Sequence, residues 1–239
     1  MKMPASKNGS GADTAPALVL FDIDGTLIRR AGPHHRQALA EAVRRITGLE
    51  STTNGIPVQG MLDRDILTLM LKNAGATNAL IRRSMPELVR AAQSIYSRTC
   101  PNLERRVCPG ARMLLLRLWR RGIPVGLVTG NLSRIAWKKM EHAGLRHYFR
   151  FGVFAEMAHS RAALVRLAVR RARREGWIDS ESRISLIGDH PNDILAARAN
   201  CIRAIAVATG ISSSEELAAH KPDVLAPDLR SLKLESLIA

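Results

Sequence analysis

The sequence predicts an α/β fold: a parallel sheet layered with helices and interrupted early by a helical insert. Three observations predict it. Four short apolar runs, at residues 17–21, 124–128, 184–187 and 204–208, do not alternate polar with apolar, as expected of strands buried on both faces of a parallel sheet. Segments of helical periodicity lie between the later runs, the rhythm of right-handed β-α-β crossovers. The stretch from residue 31 to 107 breaks that rhythm, with helical patterns and no strand-like run of comparable quality.

Taken in order, residues 1–16 (MKMPASKNGSGADTAP) are small, polar and Pro/Gly-containing, without an apolar leader segment, and read as a flexible tail. ALVLF is the first strand. The insert follows, with helices expected over 34–47, 63–74 and 86–99 and the loop GLESTTNGIPVQG between the first two. PGARMLLLRLWRRG then reads as a helix stopped by Gly122, the run at 124–128 as the second strand, and NLSRIAWKKMEHAG as a helix stopped by Gly144. FRFGVFA suggests a short strand, and SRAALVRLAVRRARREG a helix ending at Gly176. Terminal glycines after basic last turns are helix-stop chemistry. The last two apolar runs complete the sheet, and LRSLKLESLIA suggests a docking helix. The expected domains are a tail at 1–16, a core made of 17–30 and 108–239, and a helical insert at 31–107.

A chain of 239 residues suffices for a core domain plus an insert. The composition is ordinary except for charge: 36 Lys+Arg against 21 Asp+Glu give a net +15, which favours anionic partners. Aromatics at 4% supply no evident stacking platform for single-stranded nucleic acid, so a nucleic-acid partner is disfavoured. Cys100, Cys108 and Cys201 are odd in number without CxxC spacing, which argues against a disulfide framework or a zinc site. Reduced thiols and the lack of an apolar stretch near the roughly 20 residues of a membrane span give the expectation of a cytoplasmic protein with no membrane association.

The chemistry sits at strand ends. The first strand delivers Asp22 and Asp24, with Gly25 and Thr26 behind them; buried side by side, two such acids need a cation. Ligands of open parallel sheets bind beyond the carboxyl ends of the strands, and there the second strand brings Thr129, Gly130 and Asn131, the third Asp189 and, just beyond, Asp193. Converging carboxylates suit a hard cation such as Mg²⁺. A hydroxyl and backbone N–H groups at a helix N-terminus suit phosphate, and a carboxylate can attack phosphorus to form an aspartyl-phosphate. The blander alternatives are an Asx turn at Asp22 and Asp24 and a helix cap with a solvated first-turn acid at Asp189 and Asp193.

FDIDGTL, VTGN and GDHPND, in this order, resemble the signature motifs of the haloacid dehalogenase superfamily of phosphohydrolases, nearest to its phosphoglycolate-phosphatase-like group. The likeness runs from residue 17 to the C-terminus, with the insert placed like that superfamily's first-type helical cap. It implies a Rossmann-like core and a set of roles. Asp22 is implied as nucleophile and metal ligand, and Asp24 as general acid, then base, with its carbonyl on Mg²⁺. Thr129, Gly130 and Asn131 are implied at the phosphate, Asp189 on the metal, and Asp193 steadying the shell. One departure stands out: no Lys occurs between Lys139 and Lys221, so Arg161 is the candidate for the family's phosphate-clamping Lys, with Arg134 and Lys138 as alternates and a solvated helix arginine as the bland reading.

Around this set, His34 and His35 open the insert and read more readily as a surface turn than as substrate contacts. Asp63 and Arg64 lie where relatives carry polar cap residues, though Leu62 before them disfavours such a contact. Arg29 and Arg30 suit either positive potential at a pocket mouth or a hinge flank, and the Arg run 166–174 suits a solvated face. The expected function is a Mg²⁺-dependent phosphatase, monomer or homodimer, acting on a small phosphorylated metabolite. A phosphomutase uses the same two acids. A dehalogenase needs neither Asp24 nor a metal site. A non-catalytic protein would use the basic surface to hold nucleic acid or an acidic partner.

Overall fold

The protein is described here from a computed structural model covering residues 14–29 and 32–238. The tail expected over 1–16 falls outside the described residues up to residue 13, as does Arg30. Residues 14–16 already run into the sheet: the Ala15 N–H donates to the Trp177 carbonyl at 3.0 Å, and the Arg183 N–H to the Pro16 carbonyl at 2.9 Å.

Among the described residues six strands form one parallel sheet: β1 (Ala17–Phe21), β2 (Val125–Val128), β3 (Phe151–Val153), β4 (Arg183–Gly188), β5 (Arg203–Val207) and β6 (Val224–Ala226). Their order is β3-β2-β1-β4-β5-β6. β1 is central, with Val19 opposite both Val125 of β2 and Ser185 of β4. Its carboxyl end is therefore the point where the chain winds away in both directions, the place where such sheets bind ligands.

The non-alternating apolar strands follow from helices on both faces. Ala17, Val19 and Phe21 point into a cluster with α4 (Ala111–Arg120), α5 (Ser133–His142) and Leu237 of α9 (Glu235–Ile238). Leu18 and Leu20 point the other way, toward α6 (Arg161–Arg174) and α7 (Pro191–Arg198). The insert between β1 and β2 consists of α1 (His34–Thr47), α2 (Asp63–Asn73) and α3 (Asn78–Thr99). Its apolar stripes, among them Ala38, Leu39, Leu67, Met70, Leu88 and Tyr96, run continuously into the second of these clusters.

Three expectations need correction. α3 begins at Asn78 rather than 86, because the Thr77 hydroxyl accepts the Leu80 N–H at 3.3 Å and caps the helix there, leaving Pro86 inside it. Pro86 is exposed, on the outer side of the helix. β6 and α8 (Ser214–Ala219) are too short to show a period, and no sequence pattern announced them. The C-terminal segment docks as expected, burying Leu232, Leu234 and Leu237, but its helix is a single turn. Among the described residues no helix is long and apolar enough to cross a membrane.

Candidate active site

A cavity of about 1020 Å³ opens at the carboxyl end of β1. Asp22, Asp24, Thr129, Gly130, Asn131, Arg161 and Asp189 line it, so the residues picked from strand ends do converge. The chain turns sharply after β1. Gly25 adopts a φ of +89°, and a Cβ there would lie 2.1 Å from an Asp189 carboxylate oxygen, so both the backbone angle and the close approach require glycine.

The acids divide into two groups. Carboxylate oxygens of Asp22, Asp189 and Asp193 all lie within 4.8 Å of one another, and all three residues are buried. Asp193 thus joins the cluster itself, while the Asp24 side chain, expected beside Asp22, turns elsewhere. Burial, then the charges of Asp22 and Asp193, push the Asp189 carboxyl well above its ordinary range. Burial also raises Asp193, to about 7, against the lowering effect of Arg161.

Arg161, 8% exposed, is no solvated helix arginine. Its Nη1 lies 3.1 Å from Asp22 Oδ1 and 2.8 Å from Asp193 Oδ1. Neither contact is aligned as a hydrogen bond, so among the described residues Arg161 Nε, Arg161 Nη1 and Asp193 Oδ1 lack an aligned partner. The alternates lie off the site, Arg134 exposed and Lys138 paired with Glu141 at 3.2 Å.

Asp24 belongs to a second network, built around a residue that the strand-end reasoning passed over. Lys139 of α5 is 1% exposed. Its ammonium donates to Asp24 Oδ1 at 2.7 Å and Oδ2 at 2.6 Å, to Asn131 Oδ1 at 2.6 Å, and to His35 Nδ1 at 3.3 Å. Burial pushes the Asp24 carboxyl up, but the Lys139 charge and the hydrogen bonds from Lys139 and Asn131 outweigh it and hold Asp24 below its ordinary value. A signal for Lys139 did exist in the sequence. It shares the buried stripe of α5 with Ile135, Ala136 and Met140, where a lysine needs a partner.

The phosphate-side residues are arranged differently from the expected helix N-terminus. The first N–H groups of α5 are occupied: Leu132 donates to Asp63 Oδ2 at 2.8 Å, Ser133 to Glu156 at 3.0 Å, and Arg134 to Gln93 Oε1 at 2.8 Å. The Asn131 side chain donates to Asp24 Oδ2 and to Thr129 Oγ1, both at 2.8 Å. The Thr129 oxygen, accepting from the backbone N–H and the side chain of Asn131, keeps its own O–H as the group to offer a ligand.

Asp63 and His35, discounted from sequence, are structural members of the site. Asp63 is 2% exposed; its N–H donates to the Gly130 carbonyl at 2.8 Å, and its Oδ2 lies 3.0 Å from His35 Nε2. The insert is also seated through its loop. A Cβ on Gly130 would stand 2.1 Å from the Met61 carbonyl oxygen, and Asn192 Nδ2 donates to the Gly60 carbonyl at 3.0 Å. Arg29, Arg36 and Arg106 line the same cavity, whereas His34 and Arg64 do not.

A family model described as haloacid dehalogenase-like hydrolase matches residues 16–200. The chain is 28% identical over 229 residues to the phosphoglycolate phosphatase of Pseudomonas syringae pv. syringae, covering 92% of this chain and 80% of that one. It is 23% identical over 219 residues to the Vibrio cholerae phosphoglycolate phosphatase, covering 90% and 94%. Among solved structures, CbbY from Rhodobacter sphaeroides in complex with phosphate aligns with a TM-score of 0.70 at 20% identity, covering 92% of this chain and 98% of that one. The β-phosphoglucomutase of Clostridium difficile aligns at 0.68 and 18%, covering 93% and 95%.

Proposed function

The chain belongs to the haloacid dehalogenase-like hydrolases, and on that footing we propose that it is a Mg²⁺-dependent phosphatase that hydrolyses a small anionic phosphate monoester, such as phosphoglycolate, through an aspartyl-phosphate. The observation that carries this reading is the Asp22–Asp189–Asp193 cluster facing Arg161 at the end of the central strand. The names of the relatives support the ester, and so do the arginines Arg29 and Arg36 at the cavity wall.

The residues fit Mg²⁺. The donors are hard oxygens, the cluster holds more negative charge than Arg161 offsets, and Asp193 Oδ1 lacks an aligned donor. Asp22, Asp189 and the Asp24 carbonyl would hold the ion, with Asp193 beside them. Bound there, it neutralises phosphoryl charge. The protein's own residues do the rest. Asp22 attacks phosphorus, while Arg161 and the Thr129 hydroxyl steady the phosphoryl oxygens with the backbone of Gly130 and Asn131. Asp24, ionised in the free site, takes up a proton when the ester dianion adds negative charge beside it, gives that proton to the leaving oxygen, and later takes one from the attacking water. The insert serves as the cap domain over the cavity.

The test is phosphate release from a panel of monoesters with Mg²⁺ or with chelator. Turnover is expected only with the metal. Because Asp193 titrates at about 7 and Asp189 is raised as well, protons compete with the ion for raised carboxyls, and apparent Mg²⁺ affinity should weaken as pH falls below about 7. The stability sign runs with it: the metal-free protein should lose stability as pH rises from about 4 to about 7 and these acids ionise unfavourably, and Mg²⁺ should restore the melting temperature mainly at the upper end. Turnover unaffected by chelator would sink the metal reading.

Gly210 gives a gentler probe. A Cβ there would lie 1.7 Å from Asp189 Oδ2, yet the residue is exposed and its φ lies outside the left-handed region. Gly210→Ala should displace the Asp189 carboxylate and weaken Mg²⁺ activation by about 10- to 100-fold with little change in melting temperature, read from a Mg²⁺ titration of turnover.

A further inference from the structure

Two acids two residues apart are drawn in different directions by two different cations. Asp22 faces Arg161, Asp189 and Asp193, and Asp24 faces Lys139, Asn131 and His35. Lys139 is completely satisfied in this place. An ammonium has three N–H donors, and here they meet the Asp24 carboxylate, Asn131 Oδ1 and His35 Nδ1. The tautomer of His35 follows: an ammonium only donates and a carboxylate only accepts, so Nδ1 is the acceptor from Lys139 and Nε2–H is the donor to Asp63 Oδ2. Asp63 in turn accepts the Leu132 N–H from the start of α5, and the Tyr96 ring packs against both, its centroid 5.6 Å from that of His35 and 6.0 Å from the Lys139 nitrogen. Each helix of the insert thus contributes one residue to this network: His35 from α1 and Tyr96 from α3 at the ammonium, and Asp63 from α2 behind His35. The Asp24 side chain is more open than its partners, 40% exposed against 17% for His35 and 1% for Lys139.

We propose that Lys139 is a positioning residue for Asp24: held by His35 and Asp63 of the insert, its ammonium clamps the carboxylate at the cavity wall, clear of the Asp22 cluster, where it meets the leaving group of the ester. The inference rests on the phosphatase reading and deepens it, because it makes protonation of the leaving oxygen depend on the seating of the insert. A buried lysine kept only for stability would be an odd choice, since apolar residues of similar volume do as well in such places.

The leaving group supplies the test. An alkyl phosphate such as 2-phosphoglycolate needs a proton on its departing oxygen, whereas p-nitrophenolate departs without one. kcat/KM reports the steps through phosphoryl transfer to Asp22, so it isolates this demand from the later attack of water. For Lys139→Met, kcat/KM on 2-phosphoglycolate should fall on the order of 10²-fold or more, the usual range for lost general acid catalysis, and on p-nitrophenyl phosphate less than about tenfold. Lys139→Arg, with cation and donors retained, should recover part of the alkyl-ester rate. Equal losses on both esters, or no loss on either, would overturn the inference while leaving the phosphatase reading in place. Turnover that persists in Asp22→Asn would overturn that reading and the inference with it. Should Lys139→Met fail to fold, His35→Leu carries the same comparison, since it removes the acceptor that orients the ammonium; a smaller loss confined to the alkyl ester is expected, and a uniform one would count against the inference.

Discussion

Asp22→Asn is expected to abolish phosphate release, lowering kcat on the order of 10⁴- to 10⁶-fold, the scale seen when a nucleophile or its partner is removed. The amide has nearly the shape of the acid but lacks the charge that attacks phosphorus. Folding should survive, because Arg161 keeps Asp193 as a counter-charge at 2.8 Å and one of three crowded acids becomes neutral. A melting temperature close to wild type together with absent turnover places the effect on the chemistry. The complementary measurement is acid-quench trapping with labelled ester: wild type should carry a phosphoryl group on the protein during turnover, and Asp22→Asn none. A variant that retained turnover would leave the strand-end cluster without its assigned role.

Arg161→Met should be the most disruptive change to the site's electrostatics. The guanidinium lies between Asp22 and Asp193, each buried, so its loss leaves buried acids facing one another unpaired. Breaking such a pair from one side destabilises by about 3–5 kcal/mol, whereas an exposed helix arginine changes stability by roughly 0.5 kcal/mol or less. The two readings available from sequence are therefore separated by one denaturation curve. Asp193, already raised to about 7, loses the group that lowers it and should be protonated at neutral pH. Turnover should fall sharply, and saturating Mg²⁺ should recover some of the melting temperature by supplying positive charge. Arg161→Lys should recover stability further than activity, since a point charge lacks the fork that spans two oxygens.

Much of the architecture was legible along the chain. Strands buried on both faces cannot alternate, so their apolar runs stood out, and the glycines after basic turns marked the ends of α5 and α6 within two residues. The strand-end rule then brought Asp22, Thr129 and Asp189 to one cavity, and the lack of a lysine between residues 139 and 221 directed attention to Arg161. Short elements at the sheet edge, β6 and α8, offered no period to read.

Burial and chain direction are local properties, set by side-chain periodicity within one element, and the sequence by itself determined them: a parallel sheet, an insert after its first strand, and acids at the ends of the strands. Partnership is not local. Asp24 and Lys139 stand 115 residues apart, and what joins them is the pairing of β1 with β2, which sets α5 beside the end of β1. Only tertiary packing decided that Asp193 sits with Asp22 and Asp189 while Asp24 turns to a lysine, and that Asp63, Glu156 and Gln93 take the first N–H groups of α5. A buried charge settles beside whichever counter-charge the fold brings within reach, and that reach is a property of the tertiary structure.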